Sequence, residues 1–143
     1  VVDSPEIQSE IFIEKLKSYK YRNDVVLTGY INDNTLADLM GSAYALVYPS
    51  LFEGFGVPII EAMQSGTAVI TSNTSSMPVV GGDAVLYANP NDVDDLAKQM
   101  MLIYKDENLR SNLIEKGLIR SKQFSWDASA EQLWKKIEII TKK

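Results

Sequence analysis

Cysteine and histidine are both missing from this sequence, and each absence narrows its chemistry. Without cysteine there are no disulfides to staple the fold and no thiolate zinc site. Without histidine, the commonest general base near neutral pH and the commonest transition-metal ligand are gone. Whatever chemistry the chain performs falls to carboxylates, hydroxyls, amides, lysine, arginine and the backbone. Long apolar runs are missing too, all falling well short of the ~20 residues needed to cross a bilayer. The opening Val1 Val2 Asp3 Ser4 Pro5 has neither a basic nor an apolar leader segment. The expectation is a cytoplasmic placement without a transmembrane segment. Repeats, low-complexity tracts and Pro/Gly/Ser linkers are absent as well, so the 143 residues read as one domain with a real core.

What is present fits a folded protein: 45% of residues are hydrophobic and 23% charged. Lysine and arginine number 14 against 19 acids, a net charge of −5 without long runs of either sign. That balance argues against a general nucleic-acid surface. The acid groups Asp92, Asp94, Asp95 and Asp3, Glu6 sit where helices start and read as helix-start acids, not as converging metal ligands, so neither a metal nor a cofactor is expected. Lys15, Lys17, Lys20 and Arg22 form a basic neighbourhood, read as a solvated face or as a contact for an anionic acceptor or membrane surface.

Strand and helix signals alternate along the chain. Ser4 to Tyr19 reads as an amphipathic helix with Ser4 as cap, Pro5 in the first turn and Ile7, Ile11, Leu16 and Tyr19 as its stripe. Val25 to Gly29 reads as a β-branched strand closed by glycine. A helix from about Asn32 to Ser42, a strand over Ala45–Pro49, a helix from Val57 to Gly66 and a strand over Ala68–Thr71 follow. A fourth strand is expected over Ala84–Tyr87. Three helices follow: one to Tyr104 capped by Asn91 or Asp92, one from Asp106 to Phe124, and one from Asp127 to Ile140. Trp126 and Trp134 are expected to join these terminal helices in the core. Without hairpin signatures, this alternation makes an α/β fold with a parallel sheet covered on both faces.

The most specific chemical signal runs from Ser50 to Met63. Glu53 and Glu61 stand eight residues apart around the turn Gly54 Phe55 Gly56, and Val57 Pro58 opens a helix. Gly54 and Gly56 allow tight backbone and close ligand approach, and proline is tolerated in a first turn, where its missing amide would be free anyway. Amides at a helix start receive anions, and ionised carboxylates accept hydrogen bonds from hydroxyls. Together they suit a hydroxyl-rich ligand with a negative middle. The plainer reading stands beside it: Glu61 supports the helix dipole, Glu53 faces solvent and the glycines make a turn. Ser72, Asn73, Ser75 and Ser76 form a polar loop after a strand, with contact to a base or diphosphate as the sharper alternative.

The run from Tyr48 to Gly66 resembles the hallmark segment of retaining, nucleotide-sugar-dependent GT-B glycosyltransferases, the family 4-like, glycogen-synthase-like group (glycosyl transferases group 1). The likeness extends upstream through Val25–Gly29 and downstream through Ala68–Asn91, over most of the C-terminal, Rossmann-like donor-binding domain. It implies transfer of a sugar from a nucleoside-diphosphate sugar with retention at the anomeric carbon. By resemblance, Glu61 accepts from the nucleotide ribose, and Glu53 contacts or orients the transferred sugar as the catalytic carboxylate. The backbone of Gly54, Phe55, Gly56 and Val57 lies against sugar and diphosphate, and Thr28, Gly29 and Tyr30 line the nucleotide side. Stabilisation of the leaving diphosphate then dominates catalysis.

The family's Gly-Arg pair and lysine, which hold the diphosphate, have no match before Val25, and Val79 stands where relatives usually have glutamate. The acceptor-binding first domain is absent. Residues 1–143 are therefore expected to be a donor-binding domain truncated on its N-terminal side, with the missing domain as partner and self-association of the piece through unpaired edges. The parent is expected to work in the cytoplasm or at the membrane periphery. A non-catalytic nucleotide-sugar-binding or assembly module is the alternative. A NAD-dependent dehydrogenase is disfavoured because no GxGxxG follows an initial strand.

Overall fold

The computed structural model describes residues 5–141, with side chains from Phe12 onward. The cap at Ser4, the side chains of Glu6, Ile7 and Ile11, and Asp3 lie outside that description. The chain divides into two compact units, Val1–Asn32 and Asp33–Lys143.

The first unit holds helix α1 (Pro5–Ser18) and a 3-10 turn, Arg22–Asp24. Lys17 pairs with Glu14 at 2.5 Å, Lys20 lies over the Tyr21 ring and the Arg22 guanidinium donates to the Lys17 carbonyl. The basic neighbourhood is thus largely engaged within its own unit. The strand expected over Val25–Gly29 does not form: these residues are irregular, with Val26 80% and Leu27 59% exposed. Extended backbone becomes a strand only when a neighbour supplies the ladder, and β-branched propensity cannot supply one.

The second unit runs α2 (Asp33–Ser42), β1 (Ala45–Tyr48), α3 (Val57–Gln64), β2 (Ala68–Ser72), α4 (Met77–Gly81), β3 (Leu86–Ala88), α5 (Val93–Lys105), α6 (Glu107–Ser121) and α7 (Trp126–Thr141). The three strands form one parallel sheet in the order β1-β2-β3, with Tyr48 opposite Thr71 and Ile70 opposite Leu86. Four strands were expected and, among the described residues, three are found. The last starts two residues later than expected, because the Ala84 amide donates back to the Gly81 carbonyl and the ladder with β2 begins only at Leu86. Helix α4 follows the Ser-rich loop and is too short for helical periodicity to reveal.

Strand alternation builds a core on each face of the sheet. Val69 of β2, with Leu46 and Tyr48 of β1, meets Ile59, Ile60, Ala62 and Met63 of α3 and Met77 and Val80 of α4. Ala68 and Ile70, with Ala45 and Val47, meet Ile103 of α5 and Leu113 of α6. All five residues of β2 are buried, as a central parallel strand covered by helices requires. Helix α6 serves both cores: Leu113 enters the second, while Gly117 lies against Met63 of α3 in the first.

Asp92 caps α5 by accepting from the Asp94 and Asp95 amides, which confirms the helix-start reading of that acid cluster. The terminal tryptophans are corrected: Trp126 is 86% and Trp134 61% exposed, so neither joins the core. Their spacing gives α7 an apolar side that stays largely in solvent. Among the described residues no helix is long and apolar enough to cross a membrane.

Candidate functional site

Parallel pairing puts the carboxyl ends of β1, β2 and β3 along one side of the sheet, where ligands of such folds bind. The loop after β1 carries Glu53, Gly54, Phe55 and Gly56, and leads directly into α3, which carries Val57 and Glu61.

Glu53 is half-buried and fixed by two hydroxyls. The Tyr48 hydroxyl donates to its Oε1 at 2.5 Å, and the Ser50 hydroxyl donates to the same oxygen at 2.9 Å. Those hydrogen bonds, Tyr48 first, hold the carboxyl below the usual carboxylate range, so it is an anion at neutral pH. Burial, followed by the Glu53 carboxylate beside it, pushes the Tyr48 hydroxyl up to about 12. Both bonds fall on Oε1, which orients the carboxylate while leaving Oε2 free of these two hydroxyls.

The turn itself is shaped by Gly56, buried and in the left-handed region at φ 93° as the N-cap of α3. An added Cβ there would approach Ile59 Cδ1 to 3.3 Å. Gly54 differs: a Cβ there meets nothing within 4 Å, so the space beside its backbone is open. No side chain caps α3, whose first turn ends the loop. Ile59, Ile60, Ala62 and Met63 bury one side of that helix, and Glu61 is left exposed on the other. Glu61, Val57 and Phe55 line a cleft of about 300 Å³ together with Gln64, Phe124 and Trp126. Phe55 and Phe124 meet edge to face there, with ring centroids 5.8 Å apart. Glu53 is not part of this cleft's lining. It stands at the end of β1, whereas Glu61 faces the cleft from α3.

Thr28, Gly29 and Tyr30 belong to the first unit. Thr28 donates to the Gly29 carbonyl at 3.2 Å, Gly29 takes φ 60° and Tyr30 is 98% exposed. The structure brings the other six sequence-predicted residues onto one loop and helix and describes these three separately.

The loop singled out by Ser72, Asn73, Ser75 and Ser76 carries contacts that the sequence did not show, and Thr71 and Thr74 join it. Thr71, Ser72, Thr74, Ser75 and Ser76 bond to the β1 end and its loop. Their density after a strand was the available signal, yet it is shared by any polar loop.

Residues 8–120 match the family described as "Glycosyl transferases group 1". The chain belongs to this family. Among curated glycosyl transferases, it is 44% identical over 104 residues to O-antigen chain mannosyltransferase B of Escherichia coli, covering 73% of this chain and 27% of that protein. It is 34% identical over 128 residues to mannosylfructose-phosphate synthase of Agrobacterium fabrum (strain C58), covering 87% and 28% respectively. Sucrose-phosphate synthase from Thermosynechococcus elongatus superposes with a TM-score of 0.85 at 27% identity, over 94% of this chain and 34% of that one. The chain thus spans little more than a quarter of the length of either curated relative. A parallel sheet flanked by helices and the family match together make this a Rossmann-like GT-B glycosyl transferase domain.

Proposed function

We propose that this chain is the donor-binding part of a retaining glycosyltransferase, which moves a sugar from a nucleoside-diphosphate sugar to a glycan or other acceptor. The observation that carries the reading is the oriented Glu53 carboxylate at the end of β1, followed at once by the left-handed Gly56 and the uncapped start of α3. In this reading Oε2 of Glu53 accepts a hydroxyl of the transferred sugar, because Oε1 is already engaged by Tyr48 and Ser50. The diphosphate lies against the backbone of Gly54, Phe55, Gly56 and Val57, where the loop amides up to Val57 and the helix dipole favour negative charge. Glu61 accepts from the ribose, with its exposed position on α3 open to a ligand. Thr28, Gly29 and Tyr30 line the nucleotide side.

The chemistry follows from the inventory. This chain holds no histidine, so its own contribution to departure of the diphosphate is to hold the growing charge with oriented dipoles. The acceptor and its binding domain lie outside this chain in this reading. The names of the relatives make mannose the first donor sugar to try.

The test is calorimetric titration of the protein carrying this chain with guanosine- and uridine-diphosphate mannose. Wild type is expected to saturate with one of them, and Glu61→Ala to bind it about tenfold more weakly, the loss of one or two hydrogen bonds. Unchanged affinity in a variant with an unchanged circular dichroism spectrum rejects the ribose role of Glu61.

A further inference from the structure

The ladder between β1 and β2 ends at the pair Tyr48–Thr71, and the chain after Tyr48 begins with Pro49, which has no amide to offer. From there the backbone carbonyls of the Glu53 loop have no neighbouring strand. Side-chain hydroxyls from the end of β2 and the loop after it replace it. Thr71 donates to the Tyr48 carbonyl at 2.9 Å, Ser72 to that of Ser50, and Thr74 to that of Leu51 at 3.1 Å. Ser75 and Ser76 both donate to the Glu53 carbonyl, at 2.7 and 3.0 Å. Ser75 Oγ also accepts from the Glu53 amide at 3.3 Å, so residue 53 is gripped on both sides of its own Cα.

Ser75 accepts a backbone cost to do this. Its φ of 55° makes it the single non-glycine residue at positive φ among those described. A serine there, where glycine would be easier, fits a need for the hydroxyl.

We propose that the segment Thr71–Ser76 is a hydroxyl clasp that positions Glu53, with Ser75 and Ser76 as positioning residues that aim its carboxylate at the sugar of the donor. The proposal rests on the reading of Glu53 as the sugar-facing carboxylate. Its physical basis is lever length: if the grip on the Glu53 backbone is lost, Oε1 moves off Tyr48 and Ser50, and Oε2 loses its direction. The nucleoside diphosphate loses less, because the part of the turn it lies against is anchored separately by Gly56, buried against Ile59 at the start of α3.

The decisive variant is Ser75→Gly combined with Ser76→Ala, which removes both hydroxyls while glycine adopts the positive φ without strain. Two measurements are made on the protein carrying this chain. The first is titration of the Glu53 carboxyl by carbon-13 NMR, assigned with Glu53→Gln. Its midpoint is expected to rise in the variant, because the Tyr48 and Ser50 bonds weaken. An unmoved midpoint overturns the clasp whether or not a donor binds. The second compares calorimetric binding of nucleoside-diphosphate mannose with that of the nucleoside diphosphate alone. The expected result is a loss of about tenfold for the sugar nucleotide and less than about twofold for the diphosphate. Equal losses for both ligands, or none, overturn the proposal. Wild-type protein that binds neither ligand refutes the donor-binding reading instead, and the NMR titration still decides the clasp. Ser76→Thr keeps the hydroxyl and is expected to match wild type. Ser76→Ala alone serves if the double variant does not fold.

Discussion

The hydroxyl contacts of Tyr48 and Ser50 keep Glu53 ionised, and the same pair links folding to pH at both ends of the scale. Glu53 is held low, so its stabilising contribution is present above the ordinary carboxylate range and is lost as pH falls through its depressed value. Tyr48 is held high, so its contribution is complete below its ordinary value of 10.0 and is lost as pH rises towards about 12. Tyr48→Phe is expected to remove that alkaline loss and to raise the Glu53 midpoint. Melting curves of both proteins between about pH 9 and 12 check this, and parallel pH profiles would contradict it. The two glycines of the turn make a second contrast. Gly56→Ala puts a Cβ at φ 93° and within 3.3 Å of Ile59, and is expected to cost about 1–2 kcal/mol in a urea titration. Gly54→Ala meets no atom within 4 Å, so stability should change by less than about 0.5 kcal/mol. If that open space holds the donor, the same variant loses affinity. Retained affinity counts against backbone contact at Gly54.

Among the elements, α3 was the most legible. Its apolar spacing, first-turn proline and terminal Gly66 mark the helix, and its start at Val57 matches what is found. Sequence could not show how α6 reaches it. Gly117 sits inside α6, where glycine weakens a helix, because an added Cβ would lie 3.0 Å from Met63 Cγ of α3. Gly117→Leu is expected to wedge the two helices apart and cost about 1–3 kcal/mol, measured by chemical denaturation. A neutral result would show that Met63 has room to move. Helix α4 depends on the same end of α6. Arg120 donates from Nε and Nη2 to the carbonyls of Val80 and Val79, closing the short helix that follows the serine loop. A contact across forty residues leaves no periodic trace in sequence.

For the whole molecule, composition and strand–helix alternation fixed the class: α/β, parallel, covered on both faces, with the Glu53–Glu61 segment at the carboxyl ends of the strands. Val26 and Leu27 are exposed and unpaired, β1 lies at one edge of the sheet, and α7 shows Trp126, Leu133 and Ile140 to solvent. Such surfaces pair with whatever is at hand, so the isolated chain is expected to self-associate. Sedimentation velocity over a hundredfold concentration range tests this, and an unchanging monomer would count against it. The sequence by itself determined what is local: which longer stretches are helical, that a cap falls at Asn91 or Asp92, and the eight-residue spacing of two glutamates around a glycine turn. These features depend on φ preference, periodicity and bonds between near neighbours. Tertiary structure alone decided that Val25–Gly29 has no ladder, that Trp126 and Trp134 stay outside the core, and that five hydroxyls grip the Glu53 loop. Each of these depends on which distant segment lies alongside, and a strand, a core position or a clasp exists only when that neighbour is in place.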